Sequence, residues 1–250
     1  MKVIRSRRCS SAALVSLLGA SSMAMAQSQT DDATTLEALE VVSDAITAPD
    51  YIPLEKTPAV GKLNVPVEEQ PYSVSIVDRS FIEDSGAKNI QDALLYTPGV
   101  NAGNFGFDTR IDSAKVRGVD AGRYLDGLRQ IYGSYNTVRT NVYALESIEV
   151  LKGPSSMLYG QSDLGGIING VSKLPEEEQG GEIWAQYGTF NRKQLAVDVT
   201  GPVNESGDLL YRFIALGRDS DTQVDYVEDD GYVLAPSLTW RATDDTSVTL

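Results

Sequence analysis

The 250-residue sequence has no histidine and a single cysteine, Cys9, which lies close to the N-terminus. Without histidine and with one cysteine, the chain cannot form a Cys–His nucleophile–base pair, a zinc site of the usual Cys/His type or a histidine-ligated haem. No disulfide forms within the chain, because that bond requires two cysteines. The sequence also lacks a continuous run of about 18 apolar residues, so it predicts no membrane-spanning helix.

Basic residues are scarce as well. The chain has 21 Lys and Arg against 35 Asp and Glu, a net charge of −14. Removing the four basic residues of segment 1–26 leaves 17 against 35, a net charge of −18. A protein of this charge repels a phosphate backbone, so we expect no nucleic-acid partner.

The first 26 residues are ordered like a secretory signal peptide. A basic start is followed by a small, apolar stretch at 12–20, which is too short to cross a bilayer as a helix. The small residues Ala24-Met25-Ala26 then provide a cleavage site. We therefore expect export and cleavage after Ala26. The mature protein then begins at Gln27, and Cys9 is removed with the signal peptide.

Residues 27–69 are predicted to form a flexible extension, because four prolines interrupt a polar segment. One short β-prone piece lies within it, and its backbone could add as an edge strand to the sheet of a partner. An ordinary apolar patch in a linker is the alternative on these residues alone. The β-prone residues are Leu39, Glu40, Val41, Val42 and Ser43.

Residues 70–175 are predicted to fold as a mixed α/β domain. Asp78 is expected to cap a short helix that ends at Gly86, and Asn89 to cap a second helix that ends before Pro98. Alternating or apolar segments predict strands at 72–77, 148–151 and 167–171.

Residues 180–250 predict antiparallel strands with two unlike faces. Over 192–203, Leu195, Val197 and Val199 alternate with polar or small residues, so one face suits an apolar medium. Short turns are predicted at Gly201-Pro202 and Asp244-Asp245, and a longer acidic loop at 219–230. Such strands, with aromatic residues near their ends, are typical of an outer-membrane barrel. A soluble antiparallel sheet is the alternative that the pattern leaves open.

Several segments resemble motifs of the plug domain in TonB-dependent siderophore receptors. Residues 148–160 (IEVLKGPSSMLYG) are similar to the family segment IEVLKGP-A/S-S-x-LYG. The other similar segments are DAL at 92–94, TPGV at 97–100, VRG at 116–118, YLDG at 124–127, GGIIN at 165–169 and VSKLP at 171–175. The sequence departs from the family pattern at Leu164, where proline is usual, and at Gly170, where a larger apolar residue is common.

The resemblance implies an α/β plug inside an antiparallel membrane β-barrel of about 22 strands, in the outer membrane of a Gram-negative bacterium. The function it implies is active import of a ferric siderophore, with residues 39–45 as the TonB box. The implied partners are TonB, the ferric siderophore and outer-membrane lipid. No catalytic residue, metal ligand or cofactor is implied, because the iron arrives wrapped in its chelator.

The resemblance also implies two groups of site residues. Arg117, in a strand motif of the buried type, and Lys152 occupy positions where the family pairs two plug arginines with barrel glutamates. At the second position lysine supplies a point charge instead of a bidentate fork. Loops 101–110 and 129–138 match the family's apical loops. Their predicted cargo contacts, each of which could equally be structural, are Phe105, Phe107, Arg110, Tyr132 and Tyr135.

Two alternatives to siderophore import follow from the same resemblance. The first keeps the transport mechanism and changes the cargo to haem, cobalamin or a glycan. The second is a signalling receptor, for which the segment between Gln27 and Leu39 is too short to hold a folded domain. Residues 180–250 are predicted to form about five strands, and five strands cannot enclose a plug of about 100 residues. We therefore expect the remaining barrel strands, and the glutamate partners of Arg117 and Lys152, to lie beyond Leu250.

Overall fold

The computed structural model describes residues 2–7, 59–63, 65–106, 108–131, 138–160, 163–243 and 245–250, with the backbone alone for residues 2–7 and 156. The strands are β1 Lys2–Arg7, β2 Ser73–Asp78, β3 Val100–Ala102, β4 Ala114–Val116, β5 Val119–Asp120, β6 Gly122–Leu125, β7 Leu128–Arg129, β8 Leu145–Lys152, β9 Gly166–Ser172, β10 Gly180–Tyr187, β11 Lys193–Pro202, β12 Leu209–Asp219, β13 Gly231–Thr243 and β14 Thr246–Thr249. The α-helices are α1 Arg79–Ser85, α2 Ile90–Ala93 and α3 Ser156–Tyr159, and the 3-10 helices are Ala59–Gly61, Val67–Glu69 and Val142–Ala144. Within these ranges, no helix has the length and apolar character needed to cross a membrane.

The α/β part is built on a five-stranded sheet in the order β2-β8-β9-β6-β7. β6 and β9 run parallel, and the other neighbours are antiparallel. The interior strand β8 is covered on both faces, so its residues from Ser147 to Leu151 are all buried. Ile148 and Val150 belong to a core that includes α1 residue Ile82, whereas Leu151 packs with Val60 on the other side. A small sheet, β3-β4-β5, adjoins it.

The structure confirms the predicted helix caps. The carboxylate of Asp78 accepts a hydrogen bond from the Phe81 N–H at 2.9 Å, and α1 ends at Gly86 in the left-handed conformation, with φ 64°. The Asn89 side chain accepts from the Asp92 N–H at 2.7 Å and begins α2, which has only four residues. Each cap satisfies a backbone group that a helix end otherwise leaves without a partner.

The second sheet is antiparallel throughout, in the order β1-β10-β11-β12-β13-β14. Its strands are two-sided as predicted. On β11 the polar or small residues from Gln194 to Thr200 point inward and are buried, whereas Leu195 on the opposite face is 57 % exposed. Leu234 and Trp240 of β13 are likewise exposed on the outer face. The sheet therefore turns toward the α/β part a face that is polar or small on β11 and mostly apolar on β12, and it turns an apolar face outward.

Two features of this sheet differ from the sequence analysis. The turn predicted at Gly201-Pro202 is wrong, because both residues lie in β11 and pair with Tyr211 and Leu210. Proline is tolerated as the last residue of a strand, where its missing N–H costs no ladder bond, and the chain turns after it, at 203–208. The strand at Lys2–Arg7, within the expected signal peptide, was not among the predicted elements. This segment pairs with the edge strand β10, because the N–H and C=O groups along a sheet edge can form hydrogen bonds with any extended segment.

The pair Gly165-Gly166 lies where three backbone segments meet. A Cβ at Gly165 would stand 2.6 Å from the carbonyl oxygen of Asp120, and one at Gly166 would overlap that of Leu151. Gly166 also has φ 118°, a conformation that other residues rarely adopt. The glycine pair of the sequence motif is therefore required by the close approach of β9 to its neighbours.

We predict that Gly166→Ala destabilises the α/β part by about 3 kcal/mol or more, because backbone strain and overlap act together. The control is Gly160→Ala, since Gly160 has φ 66° but open space around its Cα. That change should cost only about 1 kcal/mol. Calorimetric unfolding of both purified variants measures the difference. Equal destabilisation would show that close approach does not constrain residue 166.

Candidate functional site

Two of the sequence motifs are tight β-hairpins. Arg117-Gly118 joins β4 to β5 and Asp126-Gly127 joins β6 to β7, and all four residues have positive φ. A two-residue loop with both residues at positive φ is a type I′ turn, which favours glycine at its second position. The strand residue Val116 is buried, but Arg117 is exposed on the turn. The prediction that Arg117 lies in a buried strand motif is therefore wrong, because Arg117 occupies the turn that follows the buried strand residue Val116.

The second hairpin is held by the motif that contains Asn169. The buried Asn169 side chain accepts a hydrogen bond from the Gly127 N–H at 2.9 Å. The Asp126 carboxylate accepts from both the backbone N–H and the hydroxyl of Ser172, each at 2.7 Å. These bonds join segments more than 40 residues apart. The YLDG, GGIIN and VSKLP motifs therefore form one structural unit.

The structure brings Arg117 and Lys152 together. A guanidinium nitrogen of Arg117 stands 3.5 Å from where a Cβ on Gly153 would be, next to Lys152. Burial, and then the charge of Arg117, lower the pKa of Lys152. Neither side chain has a carboxylate partner within the described part of the chain. Two cations that lie this close repel each other, and an anionic partner would relieve that repulsion. The pair Arg117 and Lys152 therefore favours a carboxylate or another anion beside it.

The predicted cargo contacts are only partly placed. Phe105 is 75 % exposed. Arg110 forms an ion pair of 2.7 Å with Asp108, and its hydrogen bonds lower the pKa of Asp108 to about 2. The remaining predicted contacts, Phe107, Tyr132 and Tyr135, lie outside the described residues, as do Leu39, Glu40, Val41, Val42 and Ser43.

A buried carboxylate that the sequence analysis missed holds the segment before the α/β sheet. Glu149 of β8 accepts hydrogen bonds from the backbone N–H groups of Ala59 and Val60, at 3.0 and 2.7 Å. The Tyr159 hydroxyl donates to the Val60 carbonyl at 2.9 Å, and the Lys62 ammonium lies 4.0 Å from the centre of the Tyr159 ring. The 3-10 helix at Ala59–Gly61 is therefore fixed to β8 and α3. A glutamate between the apolar residues Ile148 and Val150 of a predicted strand was the available signal.

A second missed group joins the α/β part to the antiparallel sheet. The buried Asp198 carboxylate of β11 pairs with Lys173 at 2.7 Å and with Arg212 of β12 at 2.8 Å. Arg212 also pairs with Glu176 at 2.9 Å. Burial is the main cause that lowers the pKa of Lys173. Because Lys173 directly follows β9, this cluster anchors the C-terminal end of the α/β part to the sheet.

No group of three or more Asp, Glu, Cys or His side chains within the described ranges is arranged to hold a metal ion.

Comparison with known proteins gives the family. Residues 66–167 match the model described as TonB-dependent Receptor Plug Domain. The chain is 38 % identical over 195 residues to the ferrioxamine B receptor of Salmonella typhimurium, covering 76 % of this chain and 28 % of that receptor. It is 32 % identical over 225 residues to the ferrichrome outer membrane transporter/phage receptor of Escherichia coli, covering 88 % and 30 %.

Solved structures agree. The ferripyoverdine receptor of the outer membrane of Pseudomonas aeruginosa superposes with a TM-score of 0.71 at 28 % identity, covering 78 % of this chain and 26 % of that one. The ferric-catecholate import receptor Fiu of Escherichia coli gives a TM-score of 0.67 at 31 % identity, covering 77 % and 27 %. The chain thus spans less than a third of the length of these relatives. It belongs to the family of TonB-dependent receptors, and it contains the plug domain and some strands of the barrel.

Proposed function

We propose that the full-length protein imports a ferric siderophore across the outer membrane with energy supplied through TonB. One observation carries the proposal: a plug packs against one face of the antiparallel strands through buried ion pairs and a small apolar cluster, and the other face of the strands is apolar and exposed. This arrangement suits a lipid-embedded barrel with a filled lumen. The relatives support the cargo, since they are named for ferrioxamine, ferrichrome, catecholate siderophores and ferripyoverdine.

In this proposal each part of the chain has a task. The signal peptide at 1–26 directs export and is removed after Ala26. TonB pairs with residues 39–43 from the periplasm. The outer face of the strands contacts outer-membrane lipid. The siderophore binds at the outer end of the plug, where aromatic and polar groups such as Phe105 and Arg110 contact the chelate. Its own donor atoms hold the iron, so the chain supplies contacts and no metal ligands.

Val41→Pro should abolish uptake and leave siderophore binding intact. Proline removes one backbone N–H and fixes φ, so the segment can no longer pair as an added strand with TonB. The control is Ala33→Pro, outside residues 39–43 in the same extension. Growth of a receptor-deletion strain on the ferric chelate, together with the Kd for that chelate, separates uptake from binding. Normal growth of the Val41→Pro strain would exclude these residues from energy transfer.

We also propose that Arg117 and Lys152 pair with carboxylates of the barrel that lie outside this sequence. Their proximity, and the lack of a carboxylate beside them in the described structure, support this assignment. A carboxylate that loses its cation in a filled lumen is left partly buried and unpaired, which costs about 3 kcal/mol or more.

Arg117→Ala should therefore impair plug retention or gating more than Arg129→Ala. Arg129 forms an exposed 3.4 Å ion pair with Asp163, and exposed pairs contribute about 1 kcal/mol or less. Transport rate and thermal melting of the full-length variants provide the comparison. If both substitutions changed transport and melting equally, the assignment of Arg117 would be wrong.

A further inference from the structure

One carboxylate at the outer end of the sheet receives three arginines. Asp229 lies in loop 220–230, between β12 and β13, and pairs with Arg218 at 2.9 Å, Arg139 at 3.2 Å and Arg192 at 3.5 Å. All four side chains are largely buried, with 9 to 16 % exposed. Arg192 and Arg218 belong to the barrel strands and their turn, whereas Arg139 belongs to the plug. Asp229 therefore links the plug to a loop of the barrel.

Arg139 reaches in a second direction, toward loop 101–110 of the plug. Its Nε donates to the Asp112 carboxylate at 3.0 Å, and a terminal nitrogen donates to the Thr109 carbonyl at 3.5 Å. Burial raises the pKa of Asp112, and the charge of Arg139 opposes that rise. Asp112 is thus held as a buried carboxylate beside Arg139, next to the loop that carries Phe105 and Arg110.

The contacts of Arg139 require the shape of arginine. A planar guanidinium presents its donors in a fixed fork, which allows one side chain to bond Thr109, Asp112 and Asp229 together. Lysine has a single ammonium at the end of a flexible stem, so it cannot reach all three acceptors in this geometry.

We propose that Arg139 is a positioning residue for cargo binding. It holds loop 101–110 of the plug against loop 220–230 of the barrel, so that a binding surface shared by plug and barrel exists before the cargo arrives. A preorganised surface binds more tightly because less ordering is required on association. This inference rests on the proposed function and adds loop 220–230 to the cargo surface.

The test uses the full-length receptor with Arg139→Gln, Arg139→Lys and the control Arg241→Gln. Arg241 lies near the end of β13 that is opposite to loop 220–230, and its ion pair with Glu177 is exposed. Asp229→Asn is less informative, because it also removes the partner of two barrel arginines. The Kd for a ferric siderophore and the accessibility of a fluorophore at Gln223→Cys, an exposed position of loop 220–230, are measured for each variant.

In cargo-free protein, Arg139→Gln should increase the quencher accessibility of the label, and Arg241→Gln should not. The Kd should rise about tenfold or more in Arg139→Gln, by less in Arg139→Lys, and remain unchanged in Arg241→Gln. Added siderophore should restore low accessibility in Arg139→Gln, a response that a purely structural brace would not give.

Two results would overturn the inference. One is unchanged label accessibility in cargo-free Arg139→Gln. The other is an unchanged Kd accompanied by a lower melting temperature, which would make Arg139 a brace of the plug alone. If Arg139→Gln does not fold, Arg139→Lys provides the same comparison. Failure of the unmodified receptor to bind any ferric siderophore would count against the proposed function, while the cargo-free label measurement would still test the contact itself.

Discussion

The buried carboxylate of Asp198 makes the plug and the first barrel strands one structure. It accepts from Lys173 at the end of the plug and, in a bidentate contact, from Arg212 of the adjacent strand. Because all three charges are shielded from water, loss of the carboxylate would leave two cations facing each other at a cost of about 3 to 5 kcal/mol. The position of the plug's last strand relative to the sheet follows from this cluster.

The same constraint determines which side of the sheet faces the plug. Because β11 offers Asp198 and β12 offers Arg212 to the plug, the alternate residues of these strands, such as Leu195, face the surroundings. Tyr143 of the plug stacks on Trp184 of β10, with ring centres 6.2 Å apart. At the outer end of the sheet, Asp229 likewise pairs with three arginines, one of which belongs to the plug. The plug is thus held by ion pairs at Asp198 and at Asp229, and by the stacking of Tyr143 on Trp184.

Local features were predictable from the sequence, because their partners lie within a few residues. The caps by Asp78 and Asn89 and the two-sided pattern of β11 are of this kind. Long-range contacts were not predictable: Glu149 binds residues about 90 positions away, and Arg139 binds Asp229 at a similar separation. Periodicity shows which face a side chain occupies, but not which distant group meets it. The family resemblance identified Arg117 and Lys152 as candidate contacts, and the structure shows that the two residues lie close together.

The most direct test of the proposed transport is uptake of radiolabelled cargo by a deletion strain that carries the complete gene. A panel of siderophores loaded with radioactive iron is offered, and labelled haem, cobalamin and glycans are offered separately as the alternative cargo classes. We predict uptake of at least one ferric siderophore, and loss of that uptake when the inner-membrane proton gradient is dissipated. Uptake of another cargo class with no ferric siderophore imported, or siderophore uptake that persists without the gradient, would contradict the account.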